Sequence, residues 1–203
     1  MNLCIGIDPS INSTGVACLF IENGQIVKEF FYVITNGKLT KRQIKAAEDN
    51  VHRFRYLMYE KNEVKDADDN HELEEYKTLN MLNIVDELKR IVDEYIAQGY
   101  EISICIEGIS YGSVKRTRSV FDLAGLNYLV RNAFIRNDNV IFTVATPGEI
   151  KKFASGSGNC KKEMMIELFR ATHMDFDLPK LDDVADAYWM AIYAKKIMDE
   201  INK

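Results

Sequence analysis

A chain of 203 residues, 47% hydrophobic and 28% charged, has the composition of a folded globular domain, which excludes a disordered chain and a multidomain assembly. The net charge of −5 argues at first against a polyanionic partner, yet Tyr111 to Arg170 carries ten Lys or Arg against five Asp or Glu, so a basic face on an acidic body is allowed. No apolar run approaches the roughly 18 residues of a membrane span, and Asp8 falls where a signal peptide needs an apolar core, so the expected location is cytoplasmic.

In chain order, Leu3 to Asp8 reads as a buried strand that ends at its acid, before the Asp8-Pro9-Ser10 turn. A second apolar run, Gly15 to Ile21, leads to Asn23-Gly24, after which Gln25 to Ile34 alternates again. Asn-Gly between two such runs is a strong hairpin signal, so the chain opens with a three-stranded antiparallel meander. From about Lys41 to Gln98 the pattern turns helical, with two helices broken near Asp66 to Asn70. The second carries Leu73, Tyr76, Leu79, Leu82, Val85, Leu88, Val92 and Tyr95 as an apolar stripe. The first, with Arg42, Lys45, Arg53 and Arg55, is free to project from the body.

Ile102 to Glu107 is a further strand, followed by a polar loop with Lys115, Arg116 and Arg118. A helix from about Ser119 to Arg136 leads to a strand from Val140 to Val144, and Pro147 opens a short helix. The run Gly156-Ser157-Gly158-Asn159 interrupts before two more helices, about Lys161 to Thr172 and Leu181 to Asn202. This order, five strands with helices after the third, is an α/β layering in one domain over 1–203. Cys4, Cys18, Cys105 and Cys160 form no Cys-x-x-Cys pair and read as reduced, mostly buried thiols. His52, His71 and His173 lack the spacing of a zinc site.

The carboxylates carry the chemistry. Asp8 and Glu107 each end an apolar strand, and if those strands are parallel neighbours, about 4.7 to 4.9 Å apart, both acids emerge at one end of the sheet. Asp183 and Asp186 share one face of the last helix, whereas Asp182, rotated by about 100°, is expected to point elsewhere. Taken singly, Asp8 suits a turn, and acids suit a helix N-terminus. Together they concentrate negative charge that a hard cation relieves, and oxygen-only ligands select Mg²⁺ or Mn²⁺. Two such ions about 3.5 to 4 Å apart can clamp the attacking and leaving oxygens of a phosphodiester.

The segments Ile5-Gly6-Ile7-Asp8-Pro9-Ser10-Ile11-Asn12-Ser13-Thr14-Gly15, Ile104-Cys105-Ile106-Glu107-Gly108, Gly158-Asn159-Cys160-Lys161-Lys162-Glu163 and Asp183-Val184-Ala185-Asp186-Ala187 together resemble the RuvC-type Holliday junction resolvases, most of all their phage-encoded branch. The matching segments run from residue 3 to about 194 and leave out roughly 36–98. The resemblance implies a homodimer and a ribonuclease H-like α/β fold, a five-stranded mixed sheet flanked by helices with a helical elaboration over about 41–98 between strands three and four. It also implies paired Mg²⁺-dependent nicks across four-way DNA junctions, in recombination, repair or phage genome processing. It further implies Asp8, Glu107, Asp183 and Asp186 as ligands of two Mg²⁺ ions per site, with Mn²⁺ as substitute, and Lys162 facing the scissile phosphate.

On that reading Tyr111, Lys115, Arg116 and Arg118, together with Lys151, Lys152 and Lys161 around the glycine-rich loop, are DNA contacts. The helix from Ser119 to Arg136 is core or dimer contact. Three alternatives remain at the level of sequence. The first is a broader nuclease of the same fold, acting on flaps, branched DNA or RNA–DNA hybrids. The second is a junction-binding scaffold that does not cut. The third, a sugar-kinase-like phosphate loop around Asp8, would need a second related domain that 203 residues cannot supply.

Overall fold

The structure is a computed structural model and describes residues 1–60, 70–109 and 117–203. Alternating apolar residues build the opening meander of β1 (Asn2–Asp8), β2 (Ser13–Glu22) and β3 (Gln25–Thr35). Asn23 (φ 51°) and Gly24 (φ 75°) close the β2–β3 hairpin with the two positive φ angles that a type I′ turn requires. Then follow α1 (Lys41–Asp49), β4 (Phe54–Met58), α2 (Asn70–Ala97), β5 (Glu101–Glu107) and α3 (Thr117–Phe134). The chain ends with β6 (Val140–Ala145), α4 (Pro147–Ser155), α5 (Lys162–Thr172) and α6 (Leu181–Ile201). The sheet runs β4-β3-β2-β1-β5-β6, with β1, β5 and β6 parallel, β2 antiparallel to both β1 and β3, and β4 parallel to β3.

The expected five strands are six, because the charged segment after α1 contributes β4. The helix there is short, opened by a Thr40–Gln43 capping box, and Arg53 and Arg55 lie outside it. Phe54, 1% exposed, pairs with Phe31 in register, and its ring meets Tyr56 and Phe176 edge-on at 4.8 and 6.1 Å. Arg53 lies over Phe176, 4.6 Å from the ring centroid, and its guanidinium donates to Asp175. Burial of aromatic surface decides the conformation against the helical pattern, and the segment packs on the body. The expected break near Asp66 lies outside the described residues.

Strand parity divides the core into two layers. Leu3, Ile5 and Ile7 of β1 and Ile102, Ile104 and Ile106 of β5 face one layer, where Ile84, Leu88, Ile91 and Val92 of α2 and Leu126, Val130 and Phe134 of α3 cover them. Cys4 and Cys105 face the other, built by α6 with α4 and α5. Cys4, Cys18 and Cys105 are buried free thiols, as expected. The N-terminal part of the α2 stripe departs from expectation: Leu73, Leu79 and Leu82 stay exposed while the half from Val85 onward is buried. Among the described residues no helix is long and apolar enough to cross a membrane.

α6 lies unusually close to the sheet. A Cβ at Gly6 would collide with the Ala187 carbonyl oxygen, and one at Gly15 with the Asp183 carbonyl oxygen. The buried alanines Ala187, Ala191 and Ala194 keep that approach open from the helix side, and Ser103 Oγ donates to the Ala194 carbonyl at 3.1 Å. This contact sets the height at which the acids of α6 stand over β1.

Candidate active site

Period-2 alternation puts Asp8 in line with Cys4 and Gly6, and Glu107 in line with Ser103 and Cys105, so both acids point to the α6 side of the sheet. The parallel register Ile7↔Ile106 leaves Asp8 and Glu107 as the next residues on adjoining strands, at the same end. Their strand-end placement is therefore as expected. The first turns of α6 bring Asp183 and Asp186 over that end, where the Asp8 carboxyl feels the charges of the other three acids and Glu107 feels that of Asp186.

Burial first, then the charges of Glu107, Asp186 and Asp183, push the Asp8 carboxyl well above the usual carboxylate range, against a smaller opposing pull from Lys162. Burial and the Asp186 charge push Glu107 up to about 7, with Lys151 and Lys162 opposing. Asp183 and Asp186 are raised as well, chiefly by burial, which Ser13 offsets at Asp183 and Lys162 at Asp186. The cluster thus holds more negative charge than its surroundings compensate.

Ser13, buried on β2, donates its hydroxyl to Asp183 Oδ2. Lys162, the first residue of α5, places Nζ 2.9 Å from Asp182 Oδ2 and 3.5 Å from Asp186 Oδ2. Burial works to lower the Lys162 ammonium, but the hydrogen bond to Asp182 and the charges of Asp186, Asp182 and Asp8 raise it. Burial likewise works to raise the Asp182 carboxyl, and the Lys162 hydrogen bond and charge hold it below the usual range. The expectation that Asp182 points away from the site is corrected: it faces α5, which the helical rotation alone does not reveal.

A third contact works through the backbone. Asn127 of α3, 3% exposed, donates to the Glu107 carbonyl at 2.7 Å and accepts from Arg131 Nε at 2.7 Å. Ser13, Asp182 and Asn127 are the residues that sequence reasoning missed. The one signal for Asn127 was a polar residue beside the apolar spacing of Leu126, Val130 and Phe134.

Glu107, Pro147, Ile150, Lys151, Lys162 and Asp186 line much of a cavity of about 160 Å³ beside the acids. Lys152 is exposed on α4, and Lys161 is the exposed N-cap residue of α5. Arg118 belongs to the first turn of α3, so the expected loop ends sooner than the sequence suggested. Tyr111, Lys115 and Arg116 lie outside the described residues. Among the described residues, no three His, Cys, Asp or Glu side chains stand close enough as they are to hold a metal ion. The ties from Ser13 and Lys162 engage carboxylate oxygens that a cation would need.

No protein-family model matches the chain, and no curated protein matches it. Among solved structures, the chain is similar to "Thermus thermophilus RuvC structure" with a TM-score of 0.58 and 15% identity, over 97% of this chain and 96% of that one. It is also similar to "T. thermophilus RuvC in complex with Holliday junction substrate", with a TM-score of 0.53 and 15% identity over the same shares. The chain has the RuvC-type, ribonuclease H-like fold, and at this identity the likeness extends to the fold alone.

Proposed function

We propose that this chain is a metal-dependent endodeoxyribonuclease that resolves four-way DNA junctions by paired phosphodiester hydrolysis. The observation that carries the reading is the meeting of two strand-end acids with two acids of α6 at one end of a sheet of this fold. The solved neighbour with a Holliday junction substrate supports branched DNA as the substrate class.

The donor set fits Mg²⁺ or Mn²⁺ on its chemistry. Asp8, Glu107, Asp183 and Asp186 offer oxygen alone, and all four carboxyls are raised by burial and crowding, a charge excess that hard divalent cations relieve. These four residues would hold the ions, once Ser13 and Lys162 share the oxygens they now engage. Bound there, the ions would supply Lewis-acid activation of the phosphate and of the hydrolytic water. The protein's own groups do the rest. Lys151 and Lys162 border the cavity beside Glu107 and Asp186 and meet the anionic backbone. Asn127 holds the β5 carbonyl at Glu107, so that the acid keeps its place when charge enters. Lys115, Arg116, Arg118, Lys152 and Lys161 extend the backbone contact, with Tyr111 stacking on an exposed base.

The partner we propose is a second copy of the chain. α2 and α3 pack on each other through the Met81–Gly125 approach and the Lys77–Asp122 ion pair, and leave Leu79, Leu82, Phe121 and Tyr128 exposed. Exposed apolar residues on two neighbouring helices are what a homodimer that carries two sites to one junction would cover.

The test is a pair of assays on Asp8→Asn. Mg²⁺-dependent nicking of a four-way junction should vanish while junction binding persists. Nicking that survives Asp8→Asn would remove the site from the reaction, and a wild-type protein that binds junctions but never nicks would be a scaffold.

A further inference from the structure

The three acids at the start of α6 go to different partners. Asp183 turns to Ser13 on β2, while Asp182 and Asp186, one helical turn apart, face Lys162 together. The two seats for the ammonium differ in depth: the Asp182 side chain is 36% exposed and that of Asp186 is 25% exposed. The outer seat is also the closer one, 2.9 Å against 3.5 Å.

We propose that Asp182 is a positioning residue that draws Lys162 outward and so loosens its hold on Asp186, leaving that carboxylate open to a divalent cation. The proposal rests on the metal-site reading above. An ammonium and a divalent cation at the same carboxylate repel each other, so every step Lys162 takes toward Asp186 opposes metal binding. A Lys side chain has a flexible four-carbon stem and can change seats without moving α5. Asp182 supplies the charge-assisted hydrogen bond that makes the outer seat the better one. Without it, Asp186 is the nearest remaining carboxylate on that face of α6, and Lys162 becomes a resident competitor for the metal.

Mn²⁺ binding to the full chain without DNA, followed by the paramagnetic resonance signal of free Mn²⁺, tests this through a double-mutant cycle. Asp182→Asn should weaken binding by about tenfold, the low end of what outer partners of metal ligands contribute. Lys162→Met in the wild-type background should tighten it only slightly, by about twofold, whereas in the Asp182→Asn background it should restore nearly all of the loss, a strongly non-additive pair. Asp182→Ser provides a second variant, and melting curves verify that each protein is folded. Unchanged binding in Asp182→Asn overturns the proposal. So does a loss of the same size with and without Lys162, because a missing charge alone acts additively. The control Asp186→Asn separates the two readings: if it binds Mn²⁺ like the wild type, the metal-site assignment fails first and the role of Asp182 falls with it.

Discussion

Glu107 sits where two requirements conflict. Burial and neighbouring negative charge oppose its ionisation, while the proposed chemistry needs it ionised. With its carboxyl at about 7 against an ordinary 4.5, it binds a proton more tightly folded than unfolded. The stability this represents is fully present below the unfolded value and is lost as pH rises through the folded one. In EDTA, Glu107→Gln should therefore melt above the wild type at pH 8, by a few degrees, with the gap closing toward pH 5. The same variant should lose about two or more orders of magnitude of Mg²⁺-dependent nicking. Melting curves across that pH range, set beside a nicking assay, check both halves. A variant less stable than wild type at pH 8 would contradict the electrostatic account. At this scale the four acids were legible in the sequence, because strand ends and helical spacing are local properties. Asp182 and Ser13 were not: α5 approaches one and β2 carries the other, and such approaches are tertiary facts.

α6 acts through its backbone as much as through its side chains. Its closeness to β1 depends on Gly6, where an added Cβ would meet helix backbone that has no flexible end to yield. Gly6→Ala should cost about 3 kcal/mol or more, at or beyond the upper range for overpacked cores. Gly24→Ala, at φ 75° with nothing within 4 Å, should cost only about 1–2 kcal/mol of left-handed strain. Urea denaturation of both variants checks the contrast, and equal costs would mean that α6 can lift away freely. The hairpin at Asn23-Gly24 was readable because its turn chemistry is local. β4 was not, because its five residues lie between helical patterns without Gly or Pro. What identifies it is Phe31 and Phe176, distant in sequence. The long α2 was readable as a helix, but which half of its stripe meets the core depends on where the sheet ends.

Over the whole molecule, two helical layers cover the sheet unequally. The α6 side carries the acids, and the α2–α3 side leaves apolar residues exposed. Phe121, 74% exposed, is the most open large apolar residue of α3, and if that face joins two copies, Phe121→Glu should convert a dimer to a monomer in sedimentation at micromolar concentration. The variant should still unfold cooperatively, since exposed substitutions cost little in a monomer, and should melt below the wild type by the stabilisation that dimerisation supplies. A wild-type chain that sediments as a monomer at every concentration would remove the paired-site arrangement.

The most direct measurement maps every cut made by the purified wild-type chain on labelled four-way junction, Y-fork, linear duplex and RNA–DNA hybrid, each with Mg²⁺ and with EDTA. The account predicts symmetric paired nicks on the four-way junction, dependent on Mg²⁺, each leaving a 5′-phosphate and a 3′-hydroxyl. Equal cutting of forks or hybrids, or single unpaired nicks, would contradict it.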